Sequence, residues 1–140
     1  MRLNGIVDSE KGPRIQIKVT TSSPVKSDLF WFLVDTGATY TQLSEGDCLK
    51  LGISRNQMTE TAEEVFTAGE MLRQYVLNQS VRLSFAGKNF DFEPMRTLIY
   101  QGNDPEKRKR FLENVLSIIG RDLIRGFKVT LTRNRITFDG

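Results

Sequence analysis

Residues 30–39 read Phe30-Trp31-Phe32-Leu33-Val34-Asp35-Thr36-Gly37-Ala38-Thr39, and five consecutive large apolar residues stop there at a carboxylate followed by a glycine turn. An apolar run of this length bounded by a turn predicts an interior strand over Leu29 to Val34. An acid directly after a buried strand is costly to ionise unless donors or water meet it, which selects Asp35 as the candidate catalytic residue. The plainer alternative is an Asx-type turn whose carboxylate satisfies nearby backbone donors. One aspartate in one copy does no paired acid–base work, so a second carboxylate is required from elsewhere.

Composition narrows the chemistry. Histidine is absent from the 140 residues, which removes Ser-His-Asp triads, Cys-His dyads and histidine-based zinc sites together. Carboxylates, lysines, hydroxyls and the single cysteine, Cys48, remain. With no intramolecular partner and no histidine to activate it, Cys48 reads as a buried packing residue suited to a reducing compartment. A net charge of +3, from 20 basic against 17 acidic residues, is too nearly balanced to imply nucleic acid. No stretch approaches the roughly 18 apolar residues of a membrane span, and Met1 to Gly5 lacks an apolar signal core. The expectation is a soluble, cytoplasmic chain forming a single domain over residues 1–140, which at this length buries roughly two-thirds of its unfolded surface.

Around the central stretch, Ile15 to Thr20 alternates as a half-buried strand after a Gly12-Pro13 turn, with Leu3 to Val7 as its partner. The polar run Thr21 to Asp28, containing Pro24, reads as a loop. Ser44 before Glu45 and Asp47 predicts a capped helix stopping at Gly52. Glu63 to Leu77 reads as two strands turning near Gly69, and Val81 to Phe85 with Phe90 to Phe92 as a hairpin. Met95 to Tyr100 extends the sheet, and Asp104-Pro105-Glu106 opens a helix reaching Asn114. Val115 to Ile119 is a short strand, Asp122 a cap for one helical turn over Leu123 to Arg125, and Val129 to Thr132 with Arg135 to Phe138 a last hairpin. Many short strands without an internal repeat predict an all-β domain closed into a barrel or sandwich.

Leu33-Val34-Asp35-Thr36-Gly37-Ala38-Thr39, followed about eighty residues later by Ile118-Ile119-Gly120-Arg121-Asp122-Leu123-Ile124, resembles the retropepsin-like aspartic proteases, with both motifs in the family's order. The resemblance runs loosely from Ile15 to Phe138. It implies a closed acid-protease barrel with one or two short helices and a β-hairpin flap. It also implies an aspartic endopeptidase acting as a homodimer on a peptide or protein substrate, without metal or cofactor and without nucleic-acid or membrane partners. Asp35 from each chain then meets its mate on the two-fold axis, which supplies the missing carboxylate. Two carboxylates at about 3 Å do not both ionise readily, so such a pair shares one proton. By the same resemblance Thr36 bonds across the axis, Gly37 permits close backbone approach beside Ala38, and Gly120, Arg121 and Asp122 brace the loop from below.

The hairpin through Ala68, Gly69 and Glu70 stands where the family has its flap, with an ordinary surface hairpin as the plain alternative. Thr39 departs from the family, which commonly holds an acid there paired with the arginine of the second motif. Arg121 is therefore expected to pair with Asp122 or with the other subunit. Residues 97–114 look inserted relative to the compact viral enzymes, and Lys107-Arg108-Lys109-Arg110 reads as a solvated helix start rather than a nucleic-acid patch. Two rivals keep the fold: a silent dimeric peptide-binding module, and a regulator that cuts only its own precursor.

Overall fold

A computed structural model of the chain describes residues 2–8, 12–67 and 70–140. Strands dominate, as the alternation patterns predict. β1 (Arg2–Asp8) lies between β2 (Gly12–Ser22) and the last strand, β12 (Arg135–Asp139). β2 and β3 (Val25–Val34) form a long antiparallel hairpin in register from Arg14↔Leu33 to Ser22↔Val25. The expected Thr21 to Asp28 loop is therefore corrected to strand, leaving only Ser23 and Pro24 in the turn. Polar residues fit there because the far end of the hairpin, residues 22–29, is exposed to solvent on both faces; beside it Thr20 and Ser27 bring their hydroxyls to 3.2 Å. Alternation also governs the apolar run: Phe30, Phe32 and Val34 are buried while Trp31 faces outward.

β4 (Gln42–Ser44) leads into α1 (Glu45–Lys50), where the Ser44 hydroxyl accepts from the Asp47 N–H and Gly52 adopts a positive φ of 75° just beyond the helix. β5 (Met58–Thr67) and β6 (Glu70–Leu77) pair as a hairpin, and β7 (Val81–Phe85) returns as β8 (Lys88–Phe92) through Ala86-Gly87, both at positive φ. After β9 (Arg96–Tyr100), Asp104 caps α2 (Pro105–Asn114) by accepting from the Glu106 and Lys107 amides. β10 (Ser117–Ile119), the short α3 (Arg121–Ile124) and β11 (Lys128–Leu131) complete the chain before β12.

The sheet runs β11-β12-β1-β2-β3-β10-β4-β9-β6-β5, with the β7–β8 hairpin attached to β2. Its all-β class matches expectation, whereas the closed barrel does not. β5 pairs only with β6 and β11 only with β12, so among the described residues the two ends stay open. A register shift between Glu60 and Glu64 bends β5, and its acidic residues blunt that free edge. The inner faces of β2, β3, β7 and β12 bury Ile15, Ile17, Val19, Phe32, Leu83 and Phe138 in one apolar cluster.

Two polar clusters fasten the helices to this sheet. The buried Ser117 hydroxyl accepts from the Ser44 amide at 2.8 Å and donates to Asp47 at 2.6 Å. Burial raises the Asp47 carboxyl above the usual carboxylate range, against the opposing pull of Ser117, Lys50 and Ser44. Beside it, burial pushes the Cys48 thiol up to about 12, in keeping with a packing role. Arg108 departs from the expected solvated helix start: it reaches 2.7 Å from the buried Glu45, whose other oxygen accepts from the Tyr100 amide at 3.4 Å.

Candidate active site

β3 and β10 run parallel, with Val34 opposite Ile119, so the two motifs that follow them emerge side by side from one end of the sheet. Parallel neighbours need a long crossover, which explains why motifs about eighty residues apart meet. The Asp35 amide donates to the Ile119 carbonyl at 3.0 Å and extends this ladder one step. The chain then turns: Ala38 N–H meets the Asp35 carbonyl at 3.2 Å, and Gly37 N–H meets Asp35 Oδ1 at 2.9 Å. This is the Asx-type geometry that serves as the plain reading of the sequence. It engages one carboxylate oxygen and leaves Oδ2 without a hydrogen-bond partner among the described residues. Asp35 is half-buried at the surface, with Thr36 and Gly37 exposed beside it and Ala38 half-buried.

The second motif grips this loop from behind. Arg121 N–H donates to the Ala38 carbonyl at 2.9 Å, and Asp122 N–H to the Thr39 carbonyl at 3.3 Å. A Cβ on Gly120 would lie 2.5 Å from the Tyr40 carbonyl carbon, so only glycine allows this approach. The Arg121 guanidinium donates to the Thr39 hydroxyl at 3.0 Å and not to Asp122, the partner expected for it within the chain. Asp122 is occupied elsewhere and caps nothing: its Oδ1 accepts from the Thr41 amide at 3.0 Å and from the Thr41 hydroxyl at 2.7 Å. Gly120 is the residue that precedes α3.

Thr41 is the residue that sequence reasoning missed. Fully buried, it donates to Asp122 and accepts from the Gly120 amide at 3.1 Å, so one hydroxyl fastens the chain just past the first motif to two residues of the second. A threonine opening a polar-to-apolar transition carries no local mark of such a role, because its partners lie about eighty residues away.

Beside the loop, Arg14, Leu33, Val115, Leu116 and Ile118 line a hollow of about 530 Å³. Leu33 and Ile118 face each other in register, each one residue before the pair that leads into Asp35 and Gly120. Arg14 stacks its guanidinium 5.4 Å from the Trp31 ring, with its buried Nε lacking a hydrogen-bond partner among the described residues.

Solved structures share this architecture. A retropepsin-like aspartic protease from Rickettsia conorii superposes with a TM-score of 0.57 at 16% identity, covering 99% of this chain and 90% of that one. EIAV protease, in complex with the inhibitor HBY-793, superposes with a TM-score of 0.50 at 18% identity over 84% of this chain and 93% of its own. The chain has the retropepsin-like fold. No protein-family profile and no curated protein matches its sequence.

Within this retropepsin-like fold the β5–β6 hairpin stands at the end of the sheet. The expected tip, Ala68 and Gly69, lies outside the described residues, and Glu70 opens β6 opposite Thr67. In this hairpin Arg73 bonds Glu60 at 3.0 Å and also pairs with Glu64, so two of its acids are internally matched. No described helix is long and apolar enough to cross a membrane.

Proposed function

We infer that the chain is an aspartic endopeptidase, one domain per protomer, in which Asp35 of two identical chains forms the catalytic pair. The observation that carries this reading is the Asp35-Thr36-Gly37 loop, braced by Gly120-Arg121-Asp122, at the end of two parallel strands of a retropepsin-like fold. One Asp35 Oδ1 is held by the Gly37 amide while Oδ2 is open to a partner, which suits a carboxylate that faces its symmetry mate.

Two such carboxylates share one proton. The ionised member removes a proton from a water that attacks the peptide carbonyl carbon, and the protonated member donates to the carbonyl oxygen. Collapse of the tetrahedral adduct breaks the C–N bond, with a proton passing to the leaving nitrogen. Thr36 links the two loops across the axis, and the β5–β6 flap covers the bound peptide through Ala68, Gly69 and Glu70. An extended peptide supplies strand-like hydrogen bonds, with alternate side chains entering hollows such as that lined by Leu33, Leu116 and Ile118.

The Asx turn at Asp35 is the observation that favours a silent peptide-binding module, since it satisfies the loop locally. A peptide library incubated from about pH 3 to 7, where a shared-proton pair operates, and scored by mass spectrometry separates the two readings. Cleavage that disappears in Asp35→Asn supports the endopeptidase. Binding without cleavage in both samples supports the silent module, and equal cleavage in both refutes the role of Asp35.

A further inference from the structure

Four side chains connect the flap base to the loop after Asp35. Arg96, the first residue of β9, lies opposite Val76 of β6 on one side and Gln42 of β4 on the other. Its guanidinium carbon sits 3.8 Å from the centroid of the Tyr40 ring, and its Nε donates to the Gln74 side-chain oxygen at 3.0 Å. The Gln74 amide nitrogen in turn donates to Glu63 Oε2 at 2.6 Å. A guanidinium only donates and a carboxylate only accepts, which fixes the orientation of the amide between them.

Both ends of this chain are anchored. Glu63 stands where β5 shifts register, and that bulge is held by the Glu63 amide on the Thr61 hydroxyl at 3.2 Å and by that hydroxyl on the Gln74 carbonyl at 2.9 Å. At the other end the Tyr40 backbone is pressed against Gly120, as the lack of room for a Cβ there shows. Tyr40 is nevertheless 47% exposed, so the apolar core does not fix its side chain.

We propose that Arg96 is a positioning residue that ties the base of the β5–β6 flap to the Asp35 loop through Tyr40. The proposal rests on the endopeptidase reading for its kinetic consequence but not for its physical one. A flap lifts to admit a peptide and closes over it. A tie at its base raises the fraction of molecules whose flap is set for closure, and apparent affinity scales with that fraction. Chemistry in the closed complex is set by the Asp35 pair, which the contacts of Arg121, Asp122 and Thr41 hold independently of Arg96.

Steady-state kinetics on a cleaved peptide, run beside hydrogen exchange of the β5–β6 amides, tests this. Arg96→Gln is expected to raise KM about threefold, the scale of one exposed cation–π contact, with kcat nearly unchanged and with faster flap exchange. Tyr40→Leu reproduces both effects, and Tyr40→Phe, which keeps the ring face, restores wild-type behaviour. A fall in kcat at constant KM indicates loss of folded enzyme and overturns the proposal, as does unchanged flap exchange or a Tyr40→Phe variant that behaves like Tyr40→Leu. Should the wild-type chain cut no peptide, the endopeptidase reading fails alone, and the exchange comparison still decides whether the tie exists.

Discussion

Thr41 carries more of the site than its one hydroxyl suggests. Thr41→Val keeps the shape but leaves Asp122 Oδ1 short of a donor and the Gly120 amide short of an acceptor, both in a buried setting. The expected cost is about 2 kcal/mol, read as a fall in Tm of roughly 8 °C. At Asp47 the sign of the pH dependence follows from a folded-state pKa raised above the unfolded one. The native chain keeps the proton where the unfolded chain has lost it, so this group's contribution is complete below the unfolded pKa and is lost as pH rises through the folded one. Asp47→Asn should flatten that part of the stability profile in denaturant titrations. Cys48, held as a thiol up to about 12, should resist alkylation at pH 8 in the native protein and react once the chain is unfolded, which mass spectrometry reads directly. At this scale the place of Asp35 and of Gly120 just beyond strand ends is legible, because an apolar run stops at each in the sequence. The partners of Arg121 and Asp122 are not, because distant residues supply them.

Elements with local signals were read well. Asp104-Pro105 marks the start of α2 and Gly87 the turn of the β7–β8 hairpin, since a cap or a positive φ is written into adjacent residues. The Thr21 to Asp28 stretch, expected as a loop, is strand on both sides of the Ser23-Pro24 turn, because a hairpin end exposed to water has no apolar signature. What holds α2 in place is equally invisible in its own sequence: Arg108 pairs with Glu45, a Cβ on Gly46 would lie 2.4 Å from the Leu112 carbonyl oxygen, and the Phe111 ring lies 5.9 Å from that of Tyr100. Arg108→Ala strands a buried carboxylate whose charged partner is only partly exposed. It is expected to destabilise the chain by about 3 kcal/mol, measurable by urea titration.

For the whole molecule, the all-β class and the order of the two motifs were legible, while the path of the sheet was not. Closure or openness depends on which strands find each other, and β10 reaches both β3 and β4 across most of the chain's length. An assembly of two chains completes the proposed chemistry, because one protomer contributes a single Asp35. Mixing wild-type protein with inactive Asp35→Asn protein at fixed total concentration, after exchange of subunits, tests that claim most directly. If both aspartates of a dimer are needed, peptide cleavage falls as the square of the wild-type fraction. Cleavage that falls in direct proportion to that fraction would mean each chain cuts alone and would contradict the shared pair.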